Sequence, residues 1–255
     1  MESKEIKDFL KKWFAEIATK DCSSCSLTCN LSSMCGESPK YIAWKNGYSP
    51  NDLEKVPQDS ILGLGCGNPF NFLNIKKGET VLILESRAGM DVFLASIKVG
   101  LEGKIIGVDM IPEMIERSKK IGLMHGFTNV EFKLGEIDRL PIEDQTIDVV
   151  IANGAINLYL DKIEVFKEVH RVMKVRGRFS VADLVTNVKL PDVVINNLEA
   201  WARGIGGALK KEEYLDRLAK SGFANVKIFS QKPYAINFYP KLRGKITSLQ
   251  IQTKK

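Results

Sequence analysis

No stretch of this 255-residue chain approaches the roughly 18 to 20 consecutive apolar residues of a membrane span. Its start, MESKEIKDFLKKWF, lacks the apolar h-region of a secretory signal. A cytoplasmic protein with no membrane partner is the expectation. Nor is there a basic block: Lys plus Arg (37) exceed Asp plus Glu (31) by only six, and the excess is spread along the chain. Nucleic acid is therefore not an expected partner. Internal repeats and low-complexity segments are absent. Histidine is confined to His125 and His170, both in predicted helices, where they read as surface or packing residues.

What is present is a globular composition, 44% hydrophobic and 27% charged, long enough for one substantial domain with a small appendage. The appendage is read as residues 1-60 and the domain as 61-255. In the first part, Ile6, Phe9, Leu10, Trp13, Phe14 and Ile17 recur at helical spacing and predict one apolar stripe. A cysteine cluster follows. Residues 36 to 60 hold Gly36, Pro39, Gly47, Pro50 and Pro57 and read as a loop-rich connector.

From residue 80 the chain alternates. TVLILE, KIIGVD, VEFKL, IDVVIAN and RFSVADLV read as buried strands, and MDVFLASIKVG, PEMIERSKKIGLMHG and DKIEVFKEVHRVMK as helices between them. Pro112 sits in the first turn of the second helix, where it is tolerated. Such alternation predicts an α/β fold: a Rossmann-like, doubly wound, mostly parallel sheet. Two further helices, about 190 to 203 and 210 to 221, precede NVKIFS and KITSLQIQT, which are expected to close the sheet as antiparallel strands.

Ligands of such sheets bind at the carboxyl ends of the strands, near the topological switch point. Asp109 ends the second strand, where a carboxylate can accept both hydroxyls of a ribose; the alternative is a helix-capping role ahead of Pro112. Glu136, after the third strand, can accept from an adenine amino group or stand as a plain surface acid.

Four of the five cysteines, Cys22, Cys25, Cys29 and Cys35, fall within fourteen residues in the spacing CxxCxxxCxxxxxC. Four thiolates on so short a loop can surround one metal centre. The close, irregular spacing suits a [4Fe-4S] cluster; zinc is the alternative, and disulfides or free thiols are a third reading. A cluster would be a structural clip, an electron donor requiring an electron-transfer partner, or a substrate ligand.

The run LGCGNP, then GETVLILE, GKIIGVDMIPEMIE, TNVEFKLGEIDRLP, NGAINL, VFKEVHRVMKVRGRFSVADLV and GIGGALKKEEYLDRLAKSGF, resembles the arsenite methyltransferase family in order and spacing. The resemblance runs from about Tyr48 to the C-terminus. It implies an S-adenosylmethionine (SAM) dependent methyltransferase. Asp109 and Met110 would then lie at the ribose, Glu136 and Ile137 beside the adenine, and Asn153 on the cofactor side. The first loop departs from the family: in ILESRAG, Ile83 replaces an acid, Glu85 and Arg87 occupy glycine positions, and only Gly89 remains. Side chains there cost strain or fill ligand space. Arg87 can instead pair with the carboxylate of the methionine moiety.

The resemblance also implies three cysteines around trivalent arsenic. This chain supplies Cys66; the other two positions are Gly154 and Gly204. Cys66 alternatively reads as a buried small hydrophobe. Tyr48 matches a tyrosine near the reacting centre, its other reading being packing of the connector. Methyl transfer from a sulfonium depends on orientation more than on a strong base, so the scarcity of histidine is no obstacle. Two functions follow: methyl transfer to a small soft nucleophile, a thiol, metalloid or metal-associated group, with Cys66 and Tyr48 at the substrate; or a non-catalytic metal or redox binding protein with an altered cofactor loop.

Overall fold

The computed structural model describes residues 2–19, 37–236 and 239–255. It opens with α1 (Ser3–Thr19), whose Ile6, Leu10, Phe14 and Ile17 are all buried. Their spacing of three and four residues puts them on one face. That face joins the main core, so α1 is packed on the larger fold. Two short helices follow, α2 (Pro39–Lys45) and α3 (Pro50–Lys55), each opened by a serine whose side chain caps it and a proline at the first position.

The alternation then appears as read: β1 (Thr80–Leu84), α4 (Met90–Val99), β2 (Lys104–Asp109), α5 (Pro112–Met124), β3 (Val130–Leu134), β4 (Ile147–Asn153), α6 (Lys162–Val172) and β5 (Met173–Thr186). The segment expected as one helix over 190 to 203 is two, α7 (Asp192–Ile195) and α8 (Leu198–Ala202). Asn197 separates them, because its side chain accepts from the Ala200 N–H and starts a new helix. A two-residue β6 (Leu209–Lys210), α9 (Lys211–Lys220), β7 (Ala224–Pro233) and β8 (Ile246–Lys254) complete the chain.

The sheet runs β3-β2-β1-β4-β5-β8-β7, with β6 beside β5. β1 to β6 pair in parallel; β8 lies antiparallel between β5 and β7. The central strands have buried residues on both faces, as their unbroken apolar runs require. The strand order reverses between β1 and β4, whose register pairs Leu84 with Ala152. The loops leaving those two strands therefore open into one crevice. Among the described residues no helix is long and apolar enough to cross a membrane.

Candidate active site

The crevice is floored by the loop after β1. Glu85 (φ 50°), Arg87 (φ 53°) and Gly89 (φ 96°) all hold left-handed backbone conformations. The turn of a glycine-rich loop is thus kept with side chains on two of its three glycine positions. For non-glycine residues that conformation costs about 1 to 2 kcal/mol each. Two groups hold it in place. The Ser86 N–H donates to the Val108 carbonyl at 2.9 Å, and the Arg87 N–H to Asp109 Oδ2 at 2.7 Å. The other oxygen of Asp109 accepts from the Ile111 N–H at 2.9 Å. Asp109, buried at the end of β2, therefore braces backbone with one site on each oxygen.

On the β4 side, Asn153 clamps the LGCGNP turn. Its carbonyl accepts from the N–H groups of Cys66 (3.0 Å) and Gly67 (3.3 Å), and its amide donates to the Gly67 carbonyl (2.9 Å) and the Tyr48 hydroxyl (3.0 Å). Gly65 is required here: it sits at φ +133°, and a Cβ on it would lie 2.8 Å from that amide. Tyr48 donates onward to Asp91 Oδ1 at 2.6 Å. Burial is the main force on these groups. It pushes the Tyr48 hydroxyl and the Cys66 thiol well above their usual ranges, so Cys66 is a neutral thiol; the charge on Asp183 adds to its shift. Asp91 is raised to about 6 despite the bonds from Tyr48 and Asn153.

Cys66, Gly154 and Gly204 line a single cavity of about 60 Å³, together with Arg87, Asp183 and Arg203. A Cβ built on Gly154 would stand 3.8 Å from the Cys66 sulfur. Three positions separated in sequence, and matched by resemblance to one metalloid site, thus meet beside the altered loop.

The other end of the crevice is covered by α1. Lys7 Nζ pairs with Glu136 at 2.5 Å and Asp138 at 2.8 Å, and Lys11 Nζ with Glu136 at 3.0 Å. Burial alone would raise Glu136, but the bonds from Lys7 and Lys11 outweigh it and hold the carboxyl below its usual range. The Ile137 N–H donates to the Tyr159 hydroxyl at 3.3 Å, which donates to Glu85 Oε1 at 2.8 Å and lies 3.7 Å from the Met110 sulfur. Arg87 stacks on Phe14, 5.3 Å from the ring centroid. The space between Phe14, Glu85, Arg87, Asp109, Ile111, Met114 and Leu158 is too narrow to admit a water molecule.

A family model described as a methyltransferase domain matches residues 55–222. The chain belongs to the methyltransferase domain family. The resemblance to arsenite methyltransferases is borne out: the enzyme of Halobacterium salinarum is 36% identical over 89% of this chain and 59% of its own length. The mouse arsenite methyltransferase is 32% identical over 69% of this chain and 49% of its own. The crystal structure of an arsenic(III) S-adenosylmethionine methyltransferase from Chlamydomonas reinhardtii superposes with a TM-score of 0.65 at 26% identity, covering 84% of this chain and 72% of that one. The chain spans about three fifths and one half of the two curated relatives.

In the arrangement described, this methyltransferase cleft does not fit SAM. Three groups the resemblance assigns to the cofactor are engaged by the chain itself: Asp109 by backbone, Glu136 by lysines, Ile137 by Tyr159. Beside the loop, a cavity of about 30 Å³ remains, lined by Glu85, Arg87, Asp91 and Asn153. Asn153 lines the cavity beside the β1 loop, Met110 is buried against Tyr159, and Arg87 points at the Gly154 carbonyl, 3.5 Å away. Cys22, Cys25, Cys29 and Cys35 lie outside the described residues. The residues missed in the sequence are Lys7, Phe14, Asp91 and Tyr159. Only Tyr159, an aromatic directly after the NGAINL motif, offered any local signal.

Proposed function

We propose that the chain is a SAM-dependent methyltransferase of the arsenite methyltransferase type, acting on a small soft nucleophile at the Cys66 cavity, with its donor cleft closed in the arrangement described. One observation carries the reading: Cys66, Gly154 and Gly204 converge on one cavity next to the β1 loop, at the switch point of the sheet. Asp183 and Arg203 in that cavity give it polarity. Asn153 and Tyr48 fix the backbone that presents Cys66 and are positioning residues. Among the described residues a neutral thiol and two glycines do not make a three-thiolate site; free arsenite as substrate needs thiolates from Cys22, Cys25, Cys29 or Cys35. Transfer of labelled methyl from SAM to a panel of small thiols and thiol-bound arsenite tests this; label in none of them, with folded protein that binds SAM, contradicts it.

The closed cleft favours a second reading, a methyltransferase-like binding protein that transfers nothing. It gains if intact protein never binds SAM. In either reading Cys22, Cys25, Cys29 and Cys35 are proposed to hold a [4Fe-4S] cluster, with zinc as the alternative, on the strength of their spacing alone. Iron and sulfide analysis of anaerobically purified protein, with a reducible visible absorbance, tests the cluster and the electron-transfer partner it would imply. Zinc without iron removes both.

A further inference from the structure

We infer that α1 is an autoinhibitory latch: docked, it holds the donor cleft shut, and the cofactor enters only when the helix leaves. This deepens the methyl-transfer reading and rests on it. The helix grips the cleft at both ends. At one, Lys7 and Lys11 each take a site on the Glu136 carboxylate, so an adenine amino group arriving there competes with two ammonium groups. At the other, Phe14 lies over the Arg87 guanidinium. A third anchor sits beyond the cleft, where Arg117 on α5 donates to the Ala18 carbonyl at 3.0 Å.

The balance of these contacts is what a reversible latch needs. The ion pairs are partly exposed, Lys7 at 21% and Lys11 at 43%, so each is worth little alone. The buried stripe Ile6, Leu10, Phe14 and Ile17 makes the docked state the resting one. Arg87 is also held loosely. Among the described residues its guanidinium makes one long hydrogen bond and no ion pair, so it is free to turn toward an arriving carboxylate. Docking of α1 and occupancy of the cleft compete for the same groups, and linkage requires each to weaken the other.

The test is calorimetric titration of the full chain with SAM, paired with amide exchange of α1, in the wild type and in Lys7→Gln/Lys11→Gln. The variant is expected to exchange α1 amides faster and to bind SAM roughly tenfold more tightly. Faster exchange with wild-type and variant affinities equal overturns the latch and leaves the methyl-transfer reading standing. Faster exchange with no binding by either chain overturns that reading and the latch with it. Should exchange not change, Phe14→Ala supplies a second opening by removing the ring over Arg87; unaltered SAM affinity there overturns the latch.

Discussion

The Tyr159 hydroxyl donates to Glu85 Oε1 at 2.8 Å, joining two residues 74 positions apart across the middle of the donor cleft. Glu85 stands where the resemblance expects glycine, and Tyr159 occupies the Ile137 N–H that would face an adenine. Burial, reinforced by the charge of Asp109, raises the Glu85 carboxyl well above its usual range, and the bond from Tyr159 opposes this. The bridge therefore serves both to fill the cleft and to satisfy a costly buried acid.

Tyr159→Phe should destabilise the fold by about 1 to 3 kcal/mol, since Glu85 loses its donor and the Ile137 N–H its acceptor. Denaturant unfolding measures it. A change within about 0.5 kcal/mol would mean that neither group depends on the hydroxyl.

Glu85→Gly should raise SAM affinity about tenfold, because it clears a side chain from the loop's ligand face and keeps Arg87 for the cofactor carboxylate. Stability should stay within about 2 kcal/mol of wild type, relief of left-handed strain offsetting the lost Tyr159 bond. Titration calorimetry and thermal unfolding give the two numbers. Affinity no higher than wild type would move the obstruction elsewhere, to α1.

With Cys22, Cys25, Cys29 and Cys35 changed to Ser, Gly154→Cys together with Gly204→Cys should create arsenite binding that the parent lacks. The nearest atoms to a Cβ at these positions are 3.6 Å and 4.0 Å away, so both side chains fit, at the cost of a left-handed backbone at each. Binding is read by retained arsenic after gel filtration under reducing conditions, with added Cys66→Ala abolishing it. Retention without Cys66 would separate the cavity from the metalloid site.

Asp91 sets a pH dependence. Its carboxyl, raised by burial from 3.8 to about 6, keeps a proton in the folded state that the unfolded chain has released. Stability from this group therefore falls as pH rises from about 4 to about 6, by at most about 3 kcal/mol. Asp91→Asn keeps an acceptor for Tyr48 and removes the charge. It should match wild type near pH 4 and exceed it at pH 7. Parallel pH profiles for the two proteins would contradict the assignment.

Much of the scaffold was legible in the sequence, because buried parallel strands need unbroken apolar runs and helices need a 3.6-residue stripe. TVLILE, KIIGVD and IDVVIAN carry the first signal, and Ile6, Leu10 and Phe14 the second. Asp109 and Glu136 fall at the ends of these elements, so their place was readable too; Cys66 lies in the loop before β1, where only the resemblance pointed to it. What the sequence hid is who partners whom. Nothing local tells that Lys7 reaches Glu136, 129 residues away, or that a residue of the N-terminal stripe, Phe14, covers Arg87. The break between α7 and α8 was missed for a related reason: Asn197 ends one helical run and starts another through a single side-chain bond.

The central claim is that the docked α1 and a filled donor cleft exclude each other. Hydrogen–deuterium exchange of the intact wild-type chain, with and without saturating SAM, tests it most directly. The α1 amides should lose protection when the cofactor binds. Bound SAM with α1 as protected as before would contradict it.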